Sequence, residues 1–140
     1  MRLMGFNYNK ISIEKFSTTN QKISLKSNLD VSNIKKIKSE ILSAKEKLLG
    51  VDFNYSIDYE PNFAKIEFKG NILIAVDSDQ AEKVEKEWEN KKIPDDFKTS
   101  LFNLILRKTS IKALELEDQM GIPLHMAMPK VQQNKNNKKE

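Results

Sequence analysis

Through the first half of the chain, apolar residues recur at every second position, which predicts strands. Phe6 and Tyr8 alternate with asparagines, Ile11 and Ile13 follow, and Phe16 precedes a turn-like Ser17-Thr18-Thr19-Asn20. Ile23 with Leu25, then Leu29 with Val31, continue the period of two. The clearest strand holds Val51, Phe53, Tyr55, Ile57 and Tyr59, interleaved with Asp52, Asn54, Ser56 and Asp58. One face is apolar and the other polar, the pattern of an antiparallel sheet with one side in water. Glu60-Pro61-Asn62 predicts a turn, and Ala64, Ile66 and Phe68 alternate with Lys65, Glu67 and Lys69 on a returning strand. If the two pair, lysines can oppose aspartates on the wet face, at about 0.2–1 kcal/mol per pair. Gly70 is expected to break the alternation. The run Ile72 to Val76 is apolar on both sides, so that end should be covered.

The stretch 34–48 reads two ways. Ile34, Ile37, Ile41, Ala44 and Leu48 fit a helical stripe, while Ile37, Ser39 and Ile41 could extend an edge strand. The second half is helical. Asp77 with Gln80 forms a capping signal, and Ala81, Val84 and Trp88 give a narrow apolar stripe among Glu and Lys. Pro94 opens a longer helix with Asp95 and Asp96 at its positive end. It can run to Met120, with Gly121 as its left-handed stop and Pro123 forbidding continuation. Phe97, Leu101, Leu104 and Ile111 make one apolar stripe; Phe102, Ile105, Ala113, Leu116 and Met120 make another. A surface helix needs one stripe, so the second implies another burial partner, either a copy of the chain or a ligand. Ile122, Leu124, Met126 and Met128 then fall at period two between Pro123 and Pro129. This segment either caps the core or offers an adaptable apolar surface.

Composition narrows the function. The 140 residues contain no cysteine and one histidine, His125. Disulfides, cysteine-zinc sites and cysteine nucleophiles are thereby excluded, and a multi-histidine metal site cannot be built. There is no long apolar run, which argues against membrane insertion and for a cytoplasmic protein. The formal charge is +4, but Arg2 and Arg107 are the only arginines, whereas bidentate phosphate recognition favours arginine. Residues 1–70 hold 12 basic and 8 acidic residues against 9 and 11 in 71–131, so the strand half is the basic half. From Gln132 onward only Gln, Asn, Lys and Glu remain, and a disordered tail is expected over 132–140.

No catalytic constellation stands out. Asp52 and Asp58 share a strand face, but six residues at ~3.3 Å separate them by about 20 Å, too far for a paired-carboxylate mechanism. Glu82, Glu85 and Glu89 share a solvated helix face, no glycine-rich phosphate loop exists, and His125 reads as a packed structural residue. An enzyme is not expected.

The order of parts resembles a known family. The first strand, Phe6-Asn7-Tyr8-Asn9-Lys10-Ile11-Ser12-Ile13-Glu14-Lys15-Phe16-Ser17, is similar to the opening strand of the SecB protein-export chaperones. Val51–Val76 looks like the third and fourth strands of that family, and Gly121-Ile122-Pro123-Leu124-His125-Met126-Ala127-Met128-Pro129 looks like its ending. The resemblance spans about residues 5–131 and extends to SecB-like proteins of archaea. It implies an α+β fold: an antiparallel four-stranded sheet, two helices packed on one face, and an extended C-terminal segment. It favours strand-then-turn for 34–48. It further implies an oligomer, a homodimer or homotetramer, that holds unfolded polypeptide clients in apolar grooves without cofactor or ATP. The sequence departs from the bacterial pattern in its basic sheet half, which puts docking to an export motor in doubt.

These readings combine into a domain over 1–131, followed by the tail. The surface expected to bind polypeptide or a second copy comprises Trp88, Phe102, Ile105, Leu116, Ile122, Leu124, Met126 and Met128. The alternative is a lysine-rich protein that contacts RNA or the ribosome.

Overall fold

The structure is a computed structural model that describes residues 1–17 and 22–133. Residues 18–20 of the expected turn, and most of the tail expected from 132, lie outside the described residues. Four strands precede two helices: β1 Arg2–Lys15, β2 Ser24–Ile37, β3 Glu46–Glu60, β4 Ala64–Asp77, α1 Ser78–Trp88 and α2 Asp95–Met120. The strands form one antiparallel sheet in the order β1-β4-β3-β2, so β1 and β2 are its two edges. The fold is α+β, with the helices on one face.

The two-residue period survives across breaks in its phase. On β1 the apolar positions change from even (Phe6, Tyr8) to odd (Ile11, Ile13), and a register shift between Tyr8 and Lys10 absorbs the change. On β2 the change from Val31 to Ile34 coincides with a shift between Val31 and Asn33. Each extra residue returns the following side chains to the same face. Tyr8, Gly70, Phe53 and Val31 thus form one row across the sheet, and Phe6, Ile72, Val51 and Ile34 the next. Phe6, Tyr8, Phe53, Phe68 and Tyr55 make a chain of ring contacts on this face, with centroids 5.0–6.2 Å apart.

Gly70 does not interrupt β4, which runs unbroken to Asp77. It lies in phase on the buried face, where a Cβ would sit 2.9 Å from Phe53 Cζ. Glycine is needed there because a Cβ would run into the backbone carbonyl of Asn7 on β1, which cannot move aside, as well as the Phe53 ring. On the polar face Lys65 pairs with Asp58 at 4.0 Å, as the lysine–aspartate reading expects. Lys10 bonds Glu67, and that hydrogen bond holds the Glu67 carboxyl below its usual range. At the doubly apolar end Ala75 is buried, and Ile37 lies over Gly50, where an added Cβ would come within 2.6 Å of Ile37 Cδ1. The ambiguous stretch resolves as strand to Ile37, a turn, and strand again from Glu46. Ile41, which a helix would have buried, is 90% exposed.

The helix ends follow their signals. The Asp77 side chain accepts from the Gln80 N–H at 2.7 Å, and Gly121 closes α2 at φ 65°. The faces of α2 differ from expectation. Its buried row is Phe97, Leu101, Ile105, Thr109, Ala113 and Glu117, spaced by four and drawn from both expected stripes. At 3.6 residues per turn each step of four turns the side chain by about 40°, so the buried side of α2 winds around the helix between Phe97 and Glu117. Leu104 is left half-buried and Ile111 is 63% exposed. Thr109 enters the row because its hydroxyl bonds back to the Ile105 carbonyl at 3.0 Å.

The sheet faces can be tested directly. Phe53→Asp places an unpaired carboxylate in the aromatic face and should cost about 4 kcal/mol or more. Asp52→Ser should change stability by less than about 0.5 kcal/mol. Thermal denaturation followed by circular dichroism separates the two; equal effects would mean that the faces are assigned the wrong way round.

Candidate functional site

The apolar face beside β2 is incompletely covered. A cleft of about 1070 Å³ opens there, between β2, the end of α1 and the start of α2. Leu29 and Val31 form its sheet side, while Trp88, Ile93, Pro94 and Phe102 form its helical side. All of these are half-buried except Pro94, which is buried. Lysines rest on the two aromatic rings: Lys91 Nζ is 4.8 Å from the Trp88 ring centroid, and Lys98 Nζ is 5.4 Å from that of Phe102. Such contacts keep the charge hydrated while its stem covers the ring.

The expected surface residues divide into groups. Trp88 and Phe102 meet in the cleft. Leu116 is half-buried further along α2, beside the core. Ile105 is fully buried and Ile122 is 5% exposed, so both belong to the interior of the chain and offer nothing to a partner. Ile105 stands on the every-fourth-residue row that α2 buries. Ile122 is held down as its N–H closes on the Glu117 carbonyl at 3.1 Å. Leu124, Met126 and Met128 are 41%, 48% and 50% exposed, with a bend at His125 and Met126. They lie toward the other end of the sheet, since Pro123 contacts Tyr59, the register partner of Leu25. Leu25 and Val31 are six residues apart, or about 20 Å along β2.

A buried polar knot fixes that end. Glu117 is fully buried, the Tyr59 hydroxyl bonds its carboxylate, and His125 Nδ1 lies 2.8 Å from its Oε1. The same hydroxyl lies 2.9 Å from the Pro123 carbonyl oxygen. A carboxylate only accepts, so the imidazole proton sits on Nδ1. Burial, then the hydrogen bond and charge of Glu117, push the Tyr59 phenol well above its usual range. Burial and the Glu117 charge act the same way on Tyr55. The sequence reading missed Glu117. The one available signal was its phase: it stands four residues beyond Ala113, on the row of core positions, and eight before the lone histidine. The described residues contain no group of three potential metal ligands, and no helix is long and apolar enough to cross a membrane.

A four-stranded antiparallel sheet in this order, with two helices on one face and an open cleft beside the edge strand, is a SecB-like fold. The chain is similar in structure to the SecB-like chaperone Rv1957 of Mycobacterium tuberculosis, solved in complex with a ChAD peptide from the HigA1 antitoxin Rv1956. The TM-score is 0.52 at 8% sequence identity, over 93% of this chain and 89% of that one. No family model and no curated protein sequence matches the chain.

Two measurements probe the knot and the tyrosines. Tyr59→Phe leaves the buried Glu117 carboxylate short of a donor and should cost about 1–3 kcal/mol in chemical denaturation. Burial raises the Tyr8 phenol from 10.0 to about 12. A raised acid stabilises the fold fully below its unfolded value and loses that contribution as pH climbs through the folded one. Melting temperature should therefore fall between pH 10.0 and about 12, and Tyr8→Phe should flatten part of the decline.

Proposed function

We propose that this protein is an ATP-independent, holdase-type chaperone that binds unfolded polypeptide segments along the cleft between β2 and α2. The observation that carries the reading is the cleft itself, with Leu29, Val31, Trp88, Ile93 and Phe102 left partly in water. Exposing several large apolar side chains is costly, at roughly 1.5–3 kcal/mol for each one fully buried instead, unless a partner covers them. The fold likeness to a chaperone solved with a peptide supports the same reading. Binding of this kind uses burial and shape, and needs no cofactor, nucleotide or catalytic group. Met126 and Met128 extend the apolar surface at the far end, where flexible thioethers accommodate varied side chains.

Self-association belongs to the same proposal. Ile111 on α2 and Met4 and Ile11 on β1 are exposed apolar residues away from the cleft, which favours a homodimer or homotetramer over a monomer. A contact with RNA or the ribosome is the second reading, favoured by the lysines along β2 and the cleft rim.

The test is protection of an aggregating client, followed by light scattering with this protein in molar excess. Aggregation should be suppressed by the native chain. It should be suppressed at least about tenfold less effectively, weight for weight, by a Trp88→Ser, Phe102→Ser double variant, since two aromatic anchors carry a large share of such binding. Circular dichroism should show that variant folded. A native chain without effect at low salt would overturn the holdase reading.

A further inference from the structure

Methionine is among the residue types most often fully buried, yet this chain buries none of its five. Met1, Met4, Met120, Met126 and Met128 are all 36–50% exposed. The core is filled instead by Ile, Leu, Val, Phe, Tyr and Ala. Three of the five fall within nine residues, from Met120 at the end of α2 to Met128.

Met126 and Met128 are the sharper case, because the backbone just before them is fixed. Ile122 is buried, the Tyr59 hydroxyl bonds the Pro123 carbonyl, and His125 is held by Glu117. The two thioethers stand in water directly beyond this anchor. A thioether has no proton to lose, so its susceptibility to oxidants follows exposure rather than charge state. No thiol competes for the oxidant, since the chain has no cysteine.

We propose that Met126 and Met128 are an oxidant-modification site: a peroxide converts both thioethers to sulfoxides, turning the outer surface of residues 122–128 polar while the fold stays intact. In each step a sulfur lone pair attacks one peroxide oxygen, the O–O bond breaks and a sulfur–oxygen bond forms. Sulfur gives up two electrons, the peroxide takes them, and the proton passes to the departing oxygen, which leaves as water or an alcohol. With both sulfurs oxidised, Leu124 is the one exposed large apolar side chain left in 122–128. The fold is spared because no sulfur lies in the core; where methionine is buried, the same chemistry disrupts packing. Methionine sulfoxide reductases reverse the change, one enzyme for each epimer at sulfur. None of this depends on the holdase reading, because the chemistry needs exposed sulfurs and no client.

The experiment treats the full chain with hydrogen peroxide and follows each methionine by peptide mass spectrometry. Met126 and Met128 should each gain one oxygen at a rate within about tenfold of free methionine. The melting temperature, followed by circular dichroism, should move by less than about 3 °C, as for other surface changes. On a phenyl column under native conditions the oxidised chain should elute earlier, and the two reductases together should restore its retention. A Met126→Leu, Met128→Leu variant, treated alike, should lose most of that shift in retention. Slower oxidation at both positions would mean that the sulfurs are shielded, and the site fails. A larger fall in melting temperature would make the oxidation a lesion of the fold and overturn the proposal. An undiminished retention shift in the leucine variant would assign the change to the other methionines, and would overturn it too.

Discussion

Two helices, of 11 and 26 residues, have to keep water from the apolar face of a sheet four strands wide. At ~4.8 Å between strands, that face is roughly 15–19 Å across and, at ~3.3 Å per residue, more than 40 Å long. A helix is about 10 Å wide, and α2 at ~1.5 Å per residue is about 39 Å long. One long helix therefore matches the sheet in length but not in width, and α1 covers only a short part of the remainder. The aromatic rows on β3 and β4 take most of the cover, because their side chains are the largest and lie at the centre. The shortfall appears at the β2 edge as the cleft lined by Leu29, Val31, Trp88 and Phe102. Fold and candidate site are consequences of the same mismatch.

The row that α2 buries decides which residues that mismatch exposes. A row of every fourth residue sends Phe97, Leu101, Ile105 and Ala113 into the core and leaves Phe102 and Leu116 at the margin. The same row ends on Glu117, which reaches the sheet where Tyr59 and His125 can satisfy it. A buried carboxylate would be a heavy cost alone. Bonded to both, it ties the C-terminal segment to β3 and leaves Leu124, Met126 and Met128 facing outward.

The strands were legible in the sequence because a half-buried sheet writes its period into the chain, and even the phase changes at Tyr8–Ile11 and Val31–Ile34 were visible as shifted parity. What parity alone did not reveal was that these changes are bulges in continuous strands. The helix caps at Asp77 and Gly121 were legible because they depend on local hydrogen bonding. The faces of α2 were not. Its apolar residues surround much of the helix, and the choice of row depends on what the rest of the chain packs against it along its length, which no local pattern encodes. Glu117 was hidden for a related reason: its partners come from a strand 58 residues away and from a loop beyond the helix. Trp88 and Phe102 were singled out by their places in helical apolar stripes, and Ile105 and Ile122 were placed outside because apolar residues in surplus were read as exposed.

The strand order bears on how the chain is made. β1 ends at Lys15, and the strand it must join begins at Ala64. At a synthesis rate of ~5–20 residues per second, β1 leaves the ribosome several seconds before its neighbour exists. The β2–β3–β4 meander can close through short connections, while β1, made first, has to wait for β4 before it can join the sheet. Until then Phe6, Tyr8 and Ile13 have no face to pack against, so the growing chain passes through a stage in which its first strand is an unpaired, half-apolar segment.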